Sequence, residues 1–429
     1  MMNRQPPAYC IIGAGKAGIA AARRVLEAGG QVVLFEQTDQ IGGTWNYTDA
    51  VGKDKYGLDI HTSMYQGLRT NLPKEVMGFP DFPIPEQEES YIPAEDVLRF
   101  LRSYADTFDV TRHVRLEHHV MFVEPSDQAG NWKVHVKNLP LNKVETFLFD
   151  FVFVCNGHYH TPMIPKYRNM QMYRGKQLHS HDYRSPKHFQ GEIVLVIGAG
   201  PSGMDLALEI SKTAWLVIMS HHTKEPFKTV FPNNLKQKPD VKELTSRGAL
   251  FVDGTHSDCT VILYCTGYRY SFPFLSLSSG ITVDDNCVQP LYKHCININH
   301  PTMAFIGLPY YVCAAQMFDL QARFCLRYYT GEEKLPTKDE MLADMQQQME
   351  QRWKEGYRKR QAHMMGPAQG DYYHDLAKTA GLDAIKPVMT KLHNESSQRF
   401  NDDLLHFRDD IFRIVDDETF VEVIRARQN

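Results

Sequence analysis

The chain has 429 residues, of which 43% are hydrophobic and 23% charged, with a formal net charge of −4. That length exceeds one ordinary domain and suits two or three, and the mildly acidic balance excludes a broad electrostatic attraction to nucleic acid. No apolar run approaches the roughly 18 residues of a membrane span, and no apolar leader follows "MMNRQPPAYC", so a cytoplasmic protein without a membrane span is expected.

The first elements read strand, Gly turn, helix, strand: "YCIIGAG", "KAGIAAARRVLEAG", "QVVLFE". In "GAGKAG", Gly13 permits a tight turn, Gly15 lets a pyrophosphate approach the backbone, and Gly18 lets helix and strand pack closely. Glu36 ends the second strand, where a carboxylate would accept hydrogen bonds from a ribose diol. Gly13, Ala14, Gly15, Lys16, Ala17, Gly18 and Glu36 therefore form a first candidate dinucleotide site. Further on, "HVMFVEPSDQAGNWKVHVKN" alternates polar and apolar residues and predicts an antiparallel insertion.

"CNGHYHTPMIP" (155–165) and "CTGYRYSFPF" (265–274) have the same shape, an apolar strand end, a polar-Gly step and a Pro-rich passage. They predict paired crossings into and out of an inserted domain. Within that insertion "IVLVIGAG", "PSGMDLALEISKTA" and "WLVIMS" repeat the first unit, with Gly198, Gly200 and Gly203 as its fingerprint. The acid that would hold an NAD ribose is missing after this strand. Ser220, His221, His222, Thr223 and Lys224 stand there instead. Ser220, Thr223 and Lys224 suit a 2′-phosphate, so this site is expected to take NADPH (NADP+) and the first FAD.

The expected fold class is α/β, with two Rossmann-like dinucleotide-binding domains, the NADP domain inserted in the FAD domain, and a helical C-terminal extension. The predicted boundaries are 1–164 with 271–337 for FAD, 165–270 for NADP, and 338–429 for the extension, to which no chemistry is assigned. The eight cysteines contain no C-x-x-C and several lie in apolar runs, which predicts buried, reduced thiols. His158 with His160 and His179 with His181 have metal-like spacing but no accompanying third ligand; no metal site is expected.

Several of these stretches, in order, resemble the class B flavin-containing monooxygenases. They are "GAGKAG", "IGGTWNY", "MYQGLRTNLPKEVMGFPDFP", "GAGPSG" and "DCTVILYCTGY", together with "YRGKQLHSHDY", which has Tyr173 where the family's identifying pattern usually has Phe. The resemblance covers about residues 9–330, and the short chain looks more like insect, yeast or bacterial members, insect pyrrolizidine-alkaloid N-oxygenases among them. It implies that Thr44 and Trp45 contact the flavin mononucleotide part of FAD. Thr70, Asn71 and Leu72 would lie where flavin and nicotinamide meet, with Asn71 the candidate catalytic residue, and Gln316 would lie near the flavin. Ser202, Gly203, Met204 and Asp205 would open the helix under the NADP phosphates, and Lys224 would replace the Arg of the family's S-x-R.

The resemblance also implies the reaction. NADPH delivers hydride to FAD, O2 adds at flavin C4a, and the resulting hydroperoxide passes oxygen to a small amine or sulfide, tertiary amines first. A homo-oligomer is expected. A Baeyer–Villiger monooxygenase shares both nucleotide motifs, but its identifying pattern usually ends in Trp rather than a residue like Tyr183. A disulfide reductase needs a redox cysteine pair that is absent here. A non-catalytic NADPH/FAD sensor would be told apart by NADPH consumption that needs both O2 and substrate.

Overall fold

Alternation along the first strand sets the layering. In Ala8–Ile12, Tyr9 and Ile11 enter one core while Cys10 and Ile12 enter another, because successive strand side chains face opposite sides. The strand pairs in parallel with Gln31–Phe35 and with Phe151–Val154. The full sheet has seven strands, in the order Leu291–Tyr292, Ile296–Asn297, Met303–Phe305, Phe151–Val154, Ala8–Ile12, Gln31–Phe35, Val114–Arg115. The structure, a computed structural model, describes residues 6–127, 131–223 and 227–423.

Among those residues the α-helices are α1 (Lys16–Glu27), α2 (Ala94–Thr107), α3 (Pro201–Ser211), α4 (Ala314–Tyr329), α5 (Lys338–Lys354), α6 (Gln369–Thr379) and α7 (Pro387–Asp402). Residues of α1, α2, α4 and α6 share the core on one face of the first sheet. Small residues Ala17, Ala20 and Ala21 let α1 approach closely. The other face is covered by an antiparallel sheet of His118–Pro125, Trp132–Asn138 and Lys143–Phe149, through Val120, Trp132, Val134 and Val136. The parallel strands of a sheet so covered carry apolar side chains on both faces, and each buried Ile, Val or Phe adds roughly 1.5–3 kcal/mol.

The second sheet has five parallel strands, in the order Leu235–Lys238, Leu216–Ser220, Ile193–Ile197, Val261–Tyr264, Lys176–His179. All of them lie in sequence between Phe151–Val154 and Met303–Phe305 of the first sheet, so one Rossmann-like unit is inserted in the other. The two crossings lie against each other. Pro162 bridges Tyr268 antiparallel, Met163 N donates to Gly267 O at 2.9 Å, and Thr266 Oγ1 donates to Met163 O at 2.5 Å. The inserted unit also holds an antiparallel sheet of Val241–Leu244, Gly248–Phe251 and His256–Asp258.

Beyond residue 337 come α5, capped by the reciprocal Thr337–Glu340 box, then α6 and α7. A hairpin of Ile411–Ile414 and Phe420–Val423 follows, in addition to the helices expected. This segment contacts both units. Leu392, Phe400, Leu404, Phe407 and Phe412 share a core with Met204 and Leu206 of α3, and Phe412 N donates to Ser90 Oγ at 2.8 Å. All eight cysteines are unpaired and buried. No helix among the described residues is long and apolar enough to cross a membrane.

Candidate functional site

The first fingerprint turns where its glycines require it. Gly13 has φ +99, and a Cβ there would stand 2.7 Å from the Cys155 carbonyl oxygen. A Cβ on Gly18 would stand 1.8 Å from Gly13 O. No side chain caps α1, so the backbone N–H groups of its first turn point at whatever anion arrives. The loop at Gly43 lies on Gly15, since a Cβ on Gly43 would come 2.9 Å from Gly15 Cα.

Glu36 is buried. Its Oε2 accepts from Ala14 N at 2.9 Å, and its Oε1 accepts from Thr38 N at 2.9 Å and Thr38 Oγ1 at 2.8 Å. Burial raises its pKa, opposed by the N–H bonds of Thr38 and Ala14. These bonds fix the carboxylate at the strand end with about one of its roughly four lone-pair positions left over. Thr44 Oγ1 is buried with no hydrogen-bond partner, a costly state unless a ligand supplies one. Trp45 is half-buried against the first core. The glycine cradle, the uncapped helix and the orphaned hydroxyl fit FAD.

The segment after Thr70 is pinned from three sides. Thr70 is buried, its N–H donating to Ile92 O at 2.9 Å and its Oγ1 accepting from Ile92 N at 3.1 Å. Lys16 Nζ donates to Met77 O at 2.7 Å, and Gln316 Nε2, in the first turn of α4, donates to Gly78 O at 2.8 Å. Arg23 grips Asp81 with both terminal nitrogens, at 2.8 and 2.5 Å. Between these ties Asn71 is exposed and Leu72 touches both main cores. Burial lowers the Lys16 pKa to about 7.

The second fingerprint repeats the first. Gly198 has φ +103 with a would-be Cβ 2.5 Å from Cys265 O, and a Cβ on Gly203 would stand 2.0 Å from Gly198 O. A Cβ on Gly200 would meet nothing within 4 Å. No side chain caps α3; Ser202 is exposed in its first turn and Met204 is buried in the core.

Asp205 is not free. Arg408 holds it at 2.8 Å (Nη1 to Oδ1) and 3.0 Å (Nη2 to Oδ2), and Tyr65 OH donates to it. Arg408 Nε also donates to Thr70 O at 3.1 Å. One guanidinium thus joins α3 to the residue preceding Asn71. The sequence reading missed Arg408, which stands 338 positions from Thr70 in a segment without a motif.

The stretch expected to read the 2′-phosphate is divided. Ser220 is 1% exposed and its hydroxyl donates inward to Pro239 O at 2.8 Å. Thr223 is exposed. Lys224 lies outside the described residues.

His160 of the first crossing stacks on His61 with ring centroids 4.7 Å apart. Burial lowers the pKa of His61 to about 3 and those of His158 and His179 to about 4; these imidazoles are neutral at pH 7. The Nε2 atoms of His158, His160 and His179 are buried without partners. No group of three or more His, Cys, Asp or Glu among the described residues could hold a metal ion.

A family model described as flavin-binding monooxygenase-like matches residues 8–229 and 223–398. The senecionine N-oxygenase of Tyria jacobaeae is 34% identical over 426 residues, covering 98% of this chain and 92% of that protein. The flavin-containing monooxygenase FMO GS-OX5 of Arabidopsis thaliana is 37% identical over 390 residues, covering 86% and 84%. Among solved structures, the S-allyl-L-cysteine S-oxygenase of Allium sativum is similar with a TM-score of 0.89 at 33% identity, over 94% of this chain and 95% of that one.

Proposed function

The chain belongs to the flavin-binding monooxygenase-like family, and from that membership we propose that it is an NADPH-dependent monooxygenase acting on a soft nucleophile. The preferred acceptor is the nitrogen of a tertiary amine, with thioether sulfur second. The senecionine N-oxygenase and the S-allyl-L-cysteine S-oxygenase among its relatives support both acceptor types. The observation that carries the reading is the Arg408 bridge. It ties the helix of the second nucleotide fingerprint to the Thr70 carbonyl, next to Asn71 and on the segment held by the first fingerprint's Lys16.

The residues divide the work as follows. The N-terminus of α1, Glu36 and Thr44 hold FAD; the N-terminus of α3, Ser202 and Thr223 hold NADPH. The chemistry FAD supplies when bound is acceptance of two electrons from NADPH and activation of O2, one oxygen atom passing to the substrate and the other to water. Asn71 orients the reacting groups with an amide, which donates a hydrogen bond without releasing a proton. The enzyme needs no acid–base pair of its own, because the nucleophile is the substrate's lone pair.

The test is a panel of tertiary amines, thioethers and cyclic ketones with NADPH under 18O2, products read by mass. An N-oxide or S-oxide carrying one heavy oxygen supports the reading. Ester products from the ketones would favour a Baeyer–Villiger enzyme. NADPH left unconsumed with every substrate would leave only a binding role.

A further inference from the structure

Among the described residues no carboxylate pairs with Lys16, whose pKa burial has drawn down. It occupies the first turn of α1, where the helix dipole already favours negative charge. Its side chain is buried, with the residue 9% exposed. Nζ donates to Met77 O at 2.7 Å and stands 5.9 Å from the centroid of the Phe79 ring. An ammonium carries three donors, yet the group that offsets its burial electrostatically is the Cys313 thiol at the start of α4, which is itself buried, with its pKa raised, and brings no charge at pH 7. A lone buried cation beside two helix N-termini is costly unless a ligand brings the opposite charge.

FAD has two parts that can bring it. The pyrophosphate is anionic in both redox states and is served by the backbone N–H groups that open α1. The flavin ring gains one negative charge when two electrons and one proton enter it as hydride from a nicotinamide. Lys16 reaches away from its own backbone. It and Gln316 take the adjacent carbonyls of Met77 and Gly78, on the segment that carries Asn71.

We propose that Lys16 is the charge partner of the reduced flavin ring and so sets the balance between reduced and oxidised FAD. The negative charge of the bound cofactor raises the Lys16 pKa again and holds it as the ammonium; hydride supplies both electrons and the one proton that the ring takes up. The inference rests on the monooxygenase reading above and gives Lys16 a part in redox poise in addition to cofactor retention.

The experiment measures the two-electron midpoint potential of bound FAD, by equilibration with a reference dye, alongside the dissociation constant of oxidised FAD. Wild-type holoenzyme, Lys16→Met and Lys16→Arg are compared. Lys16→Met should bind reduced FAD at least tenfold more weakly relative to oxidised FAD, which lowers the potential by about 30 mV or more for a two-electron couple. Lys16→Arg should restore most of it. An unchanged potential overturns the proposal, and so does an equal loss of affinity in both redox states, which would assign Lys16 to the pyrophosphate. If Lys16→Met does not retain FAD, Lys16→Gln keeps a donor for Met77 O and is read in the same way. A wild-type protein that binds no FAD would instead refute the function proposed above.

Discussion

Glu36, Asn71 and Arg408 should fail in three different ways. Glu36→Ala removes a carboxylate that accepts three hydrogen bonds. A charged hydrogen bond to the ribose is worth about 1.5–3 kcal/mol, so FAD should bind roughly ten- to a hundredfold more weakly by flavin fluorescence titration. On the proposed reading, Asn71→Asp sets a carboxylate against the charge that develops on bound oxygen. FAD binding and its reduction by NADPH should stay near wild type, while a larger share of the NADPH emerges as hydrogen peroxide. Equal coupling of NADPH to product in the two proteins would make Asn71 structural.

Arg408→Ala leaves the Asp205 carboxylate without its cation, with the Tyr65 hydroxyl still donating to it, at the helix expected to receive NADPH phosphates. The KM for NADPH should rise about tenfold, the equivalent of about 1.4 kcal/mol, and the double variant Arg408→Ala/Asp205→Asn should recover most of it. If the double variant is as poor as the single, charge neutralisation is not what Arg408 does. Gly13, Gly18 and Glu36 were legible in the sequence because their chemistry is local to one turn and one strand end. Arg408 and the inward hydroxyl of Ser220 were not, because each depends on what the fold brings opposite it.

At the scale of elements, neutral imidazoles stand on and beside the crossings, His61 against His160 and His179 against Tyr268. His61, His158 and His179 have folded-state pKa values of about 3, 4 and 4, against an ordinary 6.5. A lowered histidine pKa means that the unfolded chain binds more protons in that interval. The contribution to stability is therefore complete above pH 6.5 and declines as pH falls towards 4. Thermal melts at saturating FAD should show a lower midpoint at pH 5 than at pH 7, with a shallower fall in His61→Leu. A midpoint that does not change across that range would count against the imidazoles.

The βαβ units and the paired crossings could be read from sequence because apolar runs, Gly turns and Ala-rich helices signal themselves. Gly248–Phe251 and its neighbours, and the hairpin at Ile411–Ile414, escaped because strands of three or four residues are too short to show a period of two.

At the scale of the whole molecule, nicotinamide selection belongs to the inserted unit. With no carboxylate in Ser220–Thr223, NADPH should reduce the flavin faster than NADH in second-order rate, and Thr223→Glu should narrow the ratio by setting an acid against the 2′-phosphate. Equal rates in the wild type would refute that account. The division of the first sheet into Ala8–Val154 and Leu291–Phe305 was foreseeable from the two similar crossings. The return of the 338–423 segment onto both units was not, because it is made by scattered Phe and Leu contacts and one guanidinium.

That division also bears on birth order at the ribosome. The inserted sheet has its last strand by Tyr264, whereas the outer sheet still lacks Met303–Phe305. At about 5–20 residues per second of synthesis, the outer strands wait on the order of ten seconds for their missing neighbour. The nascent chain can thus complete the inserted sheet first, and the outer sheet matures around it before residues 392–412 arrive to finish the inserted unit's core.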